Sequence, residues 1–189
     1  MCGRMNVIAA PITQYLQEQL GLDFQTVDNS DLRPTQRVDV IMSSQRGLLQ
    51  VTTHWGIQPT WAKHALINAK VETAAQKTTF KRAYAESRCL IPVSGWYEWR
   101  LENERKQKYL FSARNQQPLL MAGIVFKGKQ GPELVTFTTA PTPTCAVYHD
   151  RMPLIIPSQH IDYWFNSTPA QLDAVARHVE DDAIAVERA

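Results

Sequence analysis

Cysteine is scarce in this chain: three residues among 189, at Cys2, Cys89 and Cys145. An odd number so widely spaced builds neither a disulfide framework nor a C-x-x-C metal knuckle, and it points to a reducing, cytoplasmic setting. Glycine is sparse too, 8 against 11 prolines, without the period of collagen or the runs of a linker. No apolar stretch approaches the roughly 18 residues of a membrane-spanning helix. The opening Met-Cys-Gly-Arg has no apolar segment of the kind a signal peptide needs. The five histidines (His54, His64, His149, His160, His178) lack ligand spacing, so neither a metal nor another cofactor is expected. What is present, 44% hydrophobic and 20% charged residues, is the composition of a globular chain. The expectation is one domain over residues 1–189, monomeric and not associated with membranes.

The net charge is only +2, but it is unevenly spread. Between Arg33 and Arg88 nine bases face three acids, whereas residues 111–189 hold six bases and eight acids. A basic half suits an anionic partner such as nucleic acid, and it suits an ordinary solvated surface equally well.

Periodicity predicts a short helix over Pro11–Leu20, with Ile12, Tyr15, Leu16 and Leu20 on one stripe and Gly21 as its stop. Alternation at Val38, Val40 and Met42, and again from Leu49 to Trp55, predicts a hairpin across Gln45-Arg46-Gly47. A helix is expected over Ala74–Ser87. Strands are expected at Arg88–Val93, Gly95–Arg100, Lys108–Ala113, Leu119–Phe126, Leu134–Thr139 and Met152–Ile156, and a helical patch at Ser158–Phe165. Thr168, Pro169 and Gln171 form a capping box for a last helix through Leu172, Val175, Ala176 and Val179. Many short strands without βαβ alternation argue for an α+β fold: a bent or barrel-like, mainly antiparallel sheet with a few peripheral helices.

Several patches carry chemistry. Loss of Met1 would leave Cys2 as an N-terminal residue with amine and thiol on adjacent carbons. Such an amine, of pKa about 7.7–8.0, is largely available near neutrality and forms an imine with an aldehyde; the thiol can then close a thiazolidine ring. Asn68 heads the polar segment Asn68-Ala69-Lys70-Val71-Glu72-Thr73, which also reads as a capping loop. Glu98 sits among the aromatics of Gly95-Trp96-Tyr97-Glu98-Trp99, where burial could raise its pKa for general-acid work; an exposed glutamate on an alternating strand is the plainer reading. His149 opens His149-Asp150-Arg151-Met152-Pro153, a titratable ring beside an acid and a base, or simply a local salt bridge. Trp55 and Trp61 flank a loop in the basic half and could stack on unpaired bases, although core packing is the ordinary fate of tryptophan.

The order of these patches resembles that of the SOS response-associated peptidase family, the abasic-site processing proteins. The resemblance runs over about residues 1–157. It implies capture of abasic sites in single-stranded DNA through Cys2 once Met1 is removed, with self-processing peptidase and lyase-like chemistry. It implies catalytic roles for Cys2, Asn68, Glu98 and His149, and DNA contacts at Arg4, Trp61 and Lys70. Trp55, Lys81 and Arg151 are expected on the same DNA face.

Two departures stand out. The family's Asn-Ala-Arg is Asn68-Ala69-Lys70 here, which keeps the charge and loses the bidentate fork. The family's closing Val-Ser…Val-Asn strand gives way to His178-Val179-Glu180-Asp181-Asp182-Ala183, which leaves the last sheet strand unsupported. Two other readings of Met-Cys-Gly stay open: an N-terminal-nucleophile glutamine amidotransferase, and a non-enzymatic DNA-binding module in which Cys2 is incidental.

Overall fold

The structure, a computed structural model, describes residues 2–173 and 180–189. In chain order the first elements are β1 (Met5–Val7), α1 (Ala9–Leu20), β2 (Asn29–Leu32), β3 (Arg37–Ser44), β4 (Gly47–Trp55), β5 (Asn68–Lys70), α2 (Val71–Ala74) and α3 (Thr78–Glu86). There follow β6 (Arg88–Val93), β7 (Gly95–Glu102), β8 (Arg105–Ala113), β9 (Leu119–Gly128), β10 (Gly131–Thr139), α4 (Pro143–Ala146), β11 (Met152–Pro153), α5 (Ile161–Asn166) and β12 (Ile184–Arg188).

The strands form two sheets. In the larger, β10 pairs with β4, β4 with β3, β3 with β6, β6 with β9, and β9 returns to β10, so five strands close into a barrel. The smaller is open, in the order β12-β8-β7-β1-β2. Pairing is antiparallel except where β10 runs parallel to β4 and β5. The α+β class and the barrel-like, mainly antiparallel sheet are as the sequence predicts.

Local chemistry accounts for most elements. The hairpin β3–β4 pairs from Arg37↔His54 to Ser44↔Gly47, as the alternation requires. The six residues of β6 are all buried, which is why this strand reads as a continuous apolar run. Its one charge, Arg88, donates to the carbonyls of Tyr84 (2.7 Å), Trp164 (2.7 Å), Phe165 (2.9 Å) and Ser167 (2.6 Å), so the buried guanidinium closes the carbonyl ends of two helices. α1 begins two residues earlier than expected and stops at Gly21 in the left-handed region (φ 62°). No helix of the described residues is long and apolar enough to cross a membrane.

Three expectations are corrected. The helix over Ala74–Ser87 is two helices, α2 and α3, because Lys77 turns extended (φ −79°, ψ 124°) between them. The strand over Met152–Ile156 is regular only at Met152–Pro153. Beyond it the chain crosses the barrel end, Leu154 donating to Phe137 and Ile156 to Leu120. The doubt over a closing strand is removed, since β12 pairs with β8 from Ile184↔Ala113 to Arg188↔Tyr109. At the last predicted helix, Gln171 accepts the Thr168 N–H (2.8 Å), half of the capping box, ahead of a 3-10 turn over Gln171–Asp173; Val175, Ala176 and Val179 lie outside the described residues.

Candidate active site

β1 and β7 carry one side of the site. Their register sets Met5 opposite Trp96, and the Tyr97 N–H donates to the Arg4 carbonyl (3.0 Å), so Cys2-Gly3-Arg4 runs on beside Tyr97-Glu98-Trp99. Gly95 opens this strand because a Cβ there would collide with the Phe111 carbonyl on β8. Cys2 is sealed, 1% exposed, and Glu98 is 5% exposed. Burial pushes the Cys2 thiol well above the ordinary range, and the Glu98 carboxylate adds to the rise, so the two groups are near enough to feel one another. Burial, with Asp150 adding its charge, pushes the Glu98 carboxyl up to about 7. A carboxyl poised there holds a proton at neutrality and can also give it up.

β5 and β10 carry the other side. Parallel pairing sets Thr136 opposite Asn68 and Thr138 opposite Lys70. The Asn68 amide donates from Nδ2 to the Cys2 carbonyl (2.8 Å), while its Oδ1 accepts from the buried Thr136 hydroxyl. With the side-chain carbonyl occupied, the orientation of the amide is set and its donor face is turned to the chain start. Asn68 is therefore the bridge between the two sides.

His149 enters from a third direction. Cys145, at the end of α4, accepts the backbone N–H of both Tyr148 (3.0 Å) and His149 (3.1 Å). His149 Nδ1 lies 2.9 Å from the Arg151 N–H and 2.8 Å from Asp150 Oδ1. One nitrogen cannot serve both: a neutral ring accepts from Arg151, and a protonated ring donates to Asp150. Burial holds the imidazole below its ordinary pKa, so the neutral ring prevails near neutrality and carries its proton on Nε2. The next residue braces the loop: Arg151 donates to both Glu72 oxygens (2.8 Å each) and to the Thr138 carbonyl (2.7 Å).

The other predicted residues divide. Arg4 is ion-paired with Asp31 and its guanidinium stands 5.4 Å over the Trp99 ring. Lys70 is exposed at the end of β5, two residues after Asn68. Trp61 is 68% exposed at the tip of a loop closed by the Ile57↔Leu66 bridge. Lys81 is exposed on α3 and lines a groove of about 460 Å³ with Val71, Glu72, Gln76 and Tyr84. Trp55 is a correction: it is fully buried and its indole N–H donates to the Ile67 carbonyl (3.1 Å), so it has no face on which a base could stack. Arg151 is also not a free surface charge, since its guanidinium already grips Glu72.

Sequence reasoning missed the supports: Thr136, Thr138 and Asp31. Two threonines alternating with apolar residues on a buried strand were a legible signal for Thr136 and Thr138. Asp31 had none.

The arrangement offers a thiol beside the chain start, a carboxyl that can donate or accept a proton near neutrality, an imidazole with a defined tautomer and an amide donor. A family model described as SOS response associated peptidase (SRAP) matches residues 1–188. The chain is 30% identical over 180 residues to the abasic site processing protein YoaM of Bacillus subtilis, covering 88% of this chain and 79% of that protein. It is 27% identical over 175 residues to the abasic site processing protein YedK of Escherichia coli, with 87% and 79% covered. A crystal structure of a protein from Bordetella bronchiseptica superposes with a TM-score of 0.85 at 19% identity, covering 100% of this chain and 99% of that one; at this identity the likeness speaks for the fold.

Proposed function

This chain belongs to the SOS response-associated peptidase family, and from that premise we propose that it captures abasic sites in single-stranded DNA as a covalent thiazolidine on Cys2, exposed by removal of Met1. The single observation that carries the reading is the meeting of Cys2, Asn68 and Glu98: the Asn68 amide holds the Cys2 carbonyl at 2.8 Å, and the Glu98 carboxyl is buried within electrostatic reach of the same residue.

An abasic deoxyribose rests mainly as a closed hemiacetal. Glu98, a large fraction of which keeps its proton near neutrality, donates to O4′ as the C1′ hydroxyl loses its proton, which opens the ring to the aldehyde. The Cys2 amine adds to the carbonyl carbon, and loss of one water gives the imine. Because burial keeps the Cys2 thiol protonated, the amine is the first nucleophile. The thiol then adds to the imine carbon, and its proton ends on nitrogen, either directly or by way of the Glu98 carboxylate. The ring product lacks the imine that would invite β-elimination, so the strand is protected. His149, neutral with its proton on Nε2, can take and return a proton in these transfers. Trp61, Lys70 and Lys81 are assigned to the DNA on either side of the sugar, by stacking for Trp61 and by charge for the lysines, while Arg4, paired with Asp31, braces the start of the chain as Arg151 braces the His149 loop.

The test is denaturing electrophoresis of the purified full chain with a single-stranded oligonucleotide bearing one abasic site, alongside intact mass. A heat-stable adduct and a mass short by one methionine are expected. Full activity in a preparation that retains Met1 would end the thiazolidine mechanism, because an acylated Cys2 nitrogen cannot form an imine.

A further inference from the structure

The stretch that departs from the family pattern is bonded to the helix that holds His149. Asp181 Oδ1 accepts the Thr144 N–H and its Oδ2 accepts the Thr144 hydroxyl, both at 2.8 Å. The Thr142 hydroxyl reaches the same carboxylate, and these bonds hold Asp181 below the ordinary carboxylate range. Thr142 is the N-cap of α4, its hydroxyl accepting the Cys145 N–H at 3.4 Å, and Pro143 follows with no N–H to satisfy. The Thr144 N–H is therefore the first-turn donor that α4 cannot satisfy from within, and Asp181 takes it. A helix of four residues does not stand alone, because fixing its first turn costs more than its few bonds return. Its far end holds the functional loop, with the Cys145 carbonyl accepting both Tyr148 and His149.

Asp181 is itself firmly placed. Arg114 donates from its backbone to the Ala183 carbonyl (2.9 Å) and from its guanidinium to the Asp182 carbonyl (2.8 Å). The next five residues are β12, paired along β8, and β8 is paired with β7, where Glu98 sits. The C-terminal segment thus runs from the sheet that holds the carboxyl to the helix that holds the imidazole.

We propose that Asp181 is a positioning residue: by capping α4 it sets where His149 stands relative to Glu98. The proposal rests on the reading of His149 as a proton-transfer group in abasic-site capture. Two measurements on the full chain test it separately from that reading. Amide hydrogen exchange of Tyr148 and His149 reports their bonds to Cys145 directly. Asp181→Ala is expected to speed both by about tenfold, roughly the worth of a lost capping bond, while amides of β6 keep their protection. Asp181→Asn, which can still accept the N–H, should restore most of it. Thr144→Val, which deletes only the hydroxyl bond, is the milder probe should Asp181→Ala loosen the whole fold. The second measurement is single-turnover capture at saturating abasic single-stranded DNA, where Asp181→Ala should be about tenfold slow and should add nothing in a His149→Ala background. Unchanged exchange at Tyr148 and His149, or an undiminished effect in the His149→Ala background, overturns the proposal. If the wild-type chain forms no adduct, the proposed function falls, and the exchange result alone decides whether Asp181 positions His149.

Discussion

The two edges that meet at the site are built in opposite ways. On the β5–β10 edge the polar groups are paired: Asn68 with Thr136 and Cys2, Arg151 with Glu72 and Thr138. On the β1–β7 edge, Cys2 and Glu98 are buried where solvation is poor, and both are pushed toward their protonated forms. A paired edge is a frame, because each bond fixes the next and little charge is left to react. An edge held in a costly ionisation state is where reactivity is stored. Cys89 sharpens the point. Burial pushes its thiol up just as it does that of Cys2, yet it lies inside β6, where among the described residues burial is the one cause of the rise and no carboxylate adds to it as Glu98 does at Cys2. Burial alone does not make a nucleophile.

The comparison breaks first at Cys2. Cys2→Ala is expected to abolish the heat-stable adduct, with binding to intact single-stranded DNA retained; the same adduct from that variant would mean that a lysine reacts. Next comes Glu98→Gln, which should slow capture by about 10²–10⁴-fold with little loss of affinity. It should also change stability in a stated direction. A carboxyl at 4.5 in the unfolded chain and about 7 in the fold binds more protons when folded, so stability falls as pH rises between those values. The loss is about 3 kcal/mol at most by pH 8, and thermal unfolding of Glu98→Gln should lack it. A wild-type melting curve flat over that range would place Glu98 in solvent.

The other edge should respond more weakly. Glu72→Ala releases Arg151 and is expected to cost about 1 kcal/mol of stability, since Glu72 is partly exposed, and to slow capture only severalfold. A loss as deep as that of Glu98→Gln would show that the frame takes part in the chemistry. The smallest effect is assigned to Lys70. Lys70→Ala should flatten the salt dependence of single-strand binding by about 0.7 in the log–log slope, leaving capture at saturating DNA unchanged. Lys70→Arg should keep the slope. An unchanged slope in Lys70→Ala would take this residue off the DNA face.

The sequence was most legible where one local rule dominated. β6 is read from its apolar run, the β3–β4 hairpin from its alternation, and the end of α1 from Gly21. It was least legible where distant groups compete. Val71 and Ala74 must pack beside β5, whereas Phe80, Ala83 and Tyr84 must cover the barrel, and one straight helix cannot serve both. Trp55 and Trp61 look alike in sequence, on either side of one loop. Only the fold separates them, because the indole of Trp55 finds a carbonyl in the core while Trp61 is carried out on the loop tip.

By itself the sequence determined the class of fold, most strands, and the kinds of side chain available for chemistry, because hydrophobic period and residue type are local properties. It named Cys2, Asn68, Glu98 and His149 one at a time. Only the tertiary structure decided that the Asn68 amide reaches Cys2, that Glu98 lies deep enough to keep its proton near neutrality, and that a strand closes the C-terminal end and brings Asp181 under α4. Hydrogen bonds and pKa shifts depend on which groups share a small dry volume, and residues tens of positions apart in the chain come to share one only when the sheets have closed.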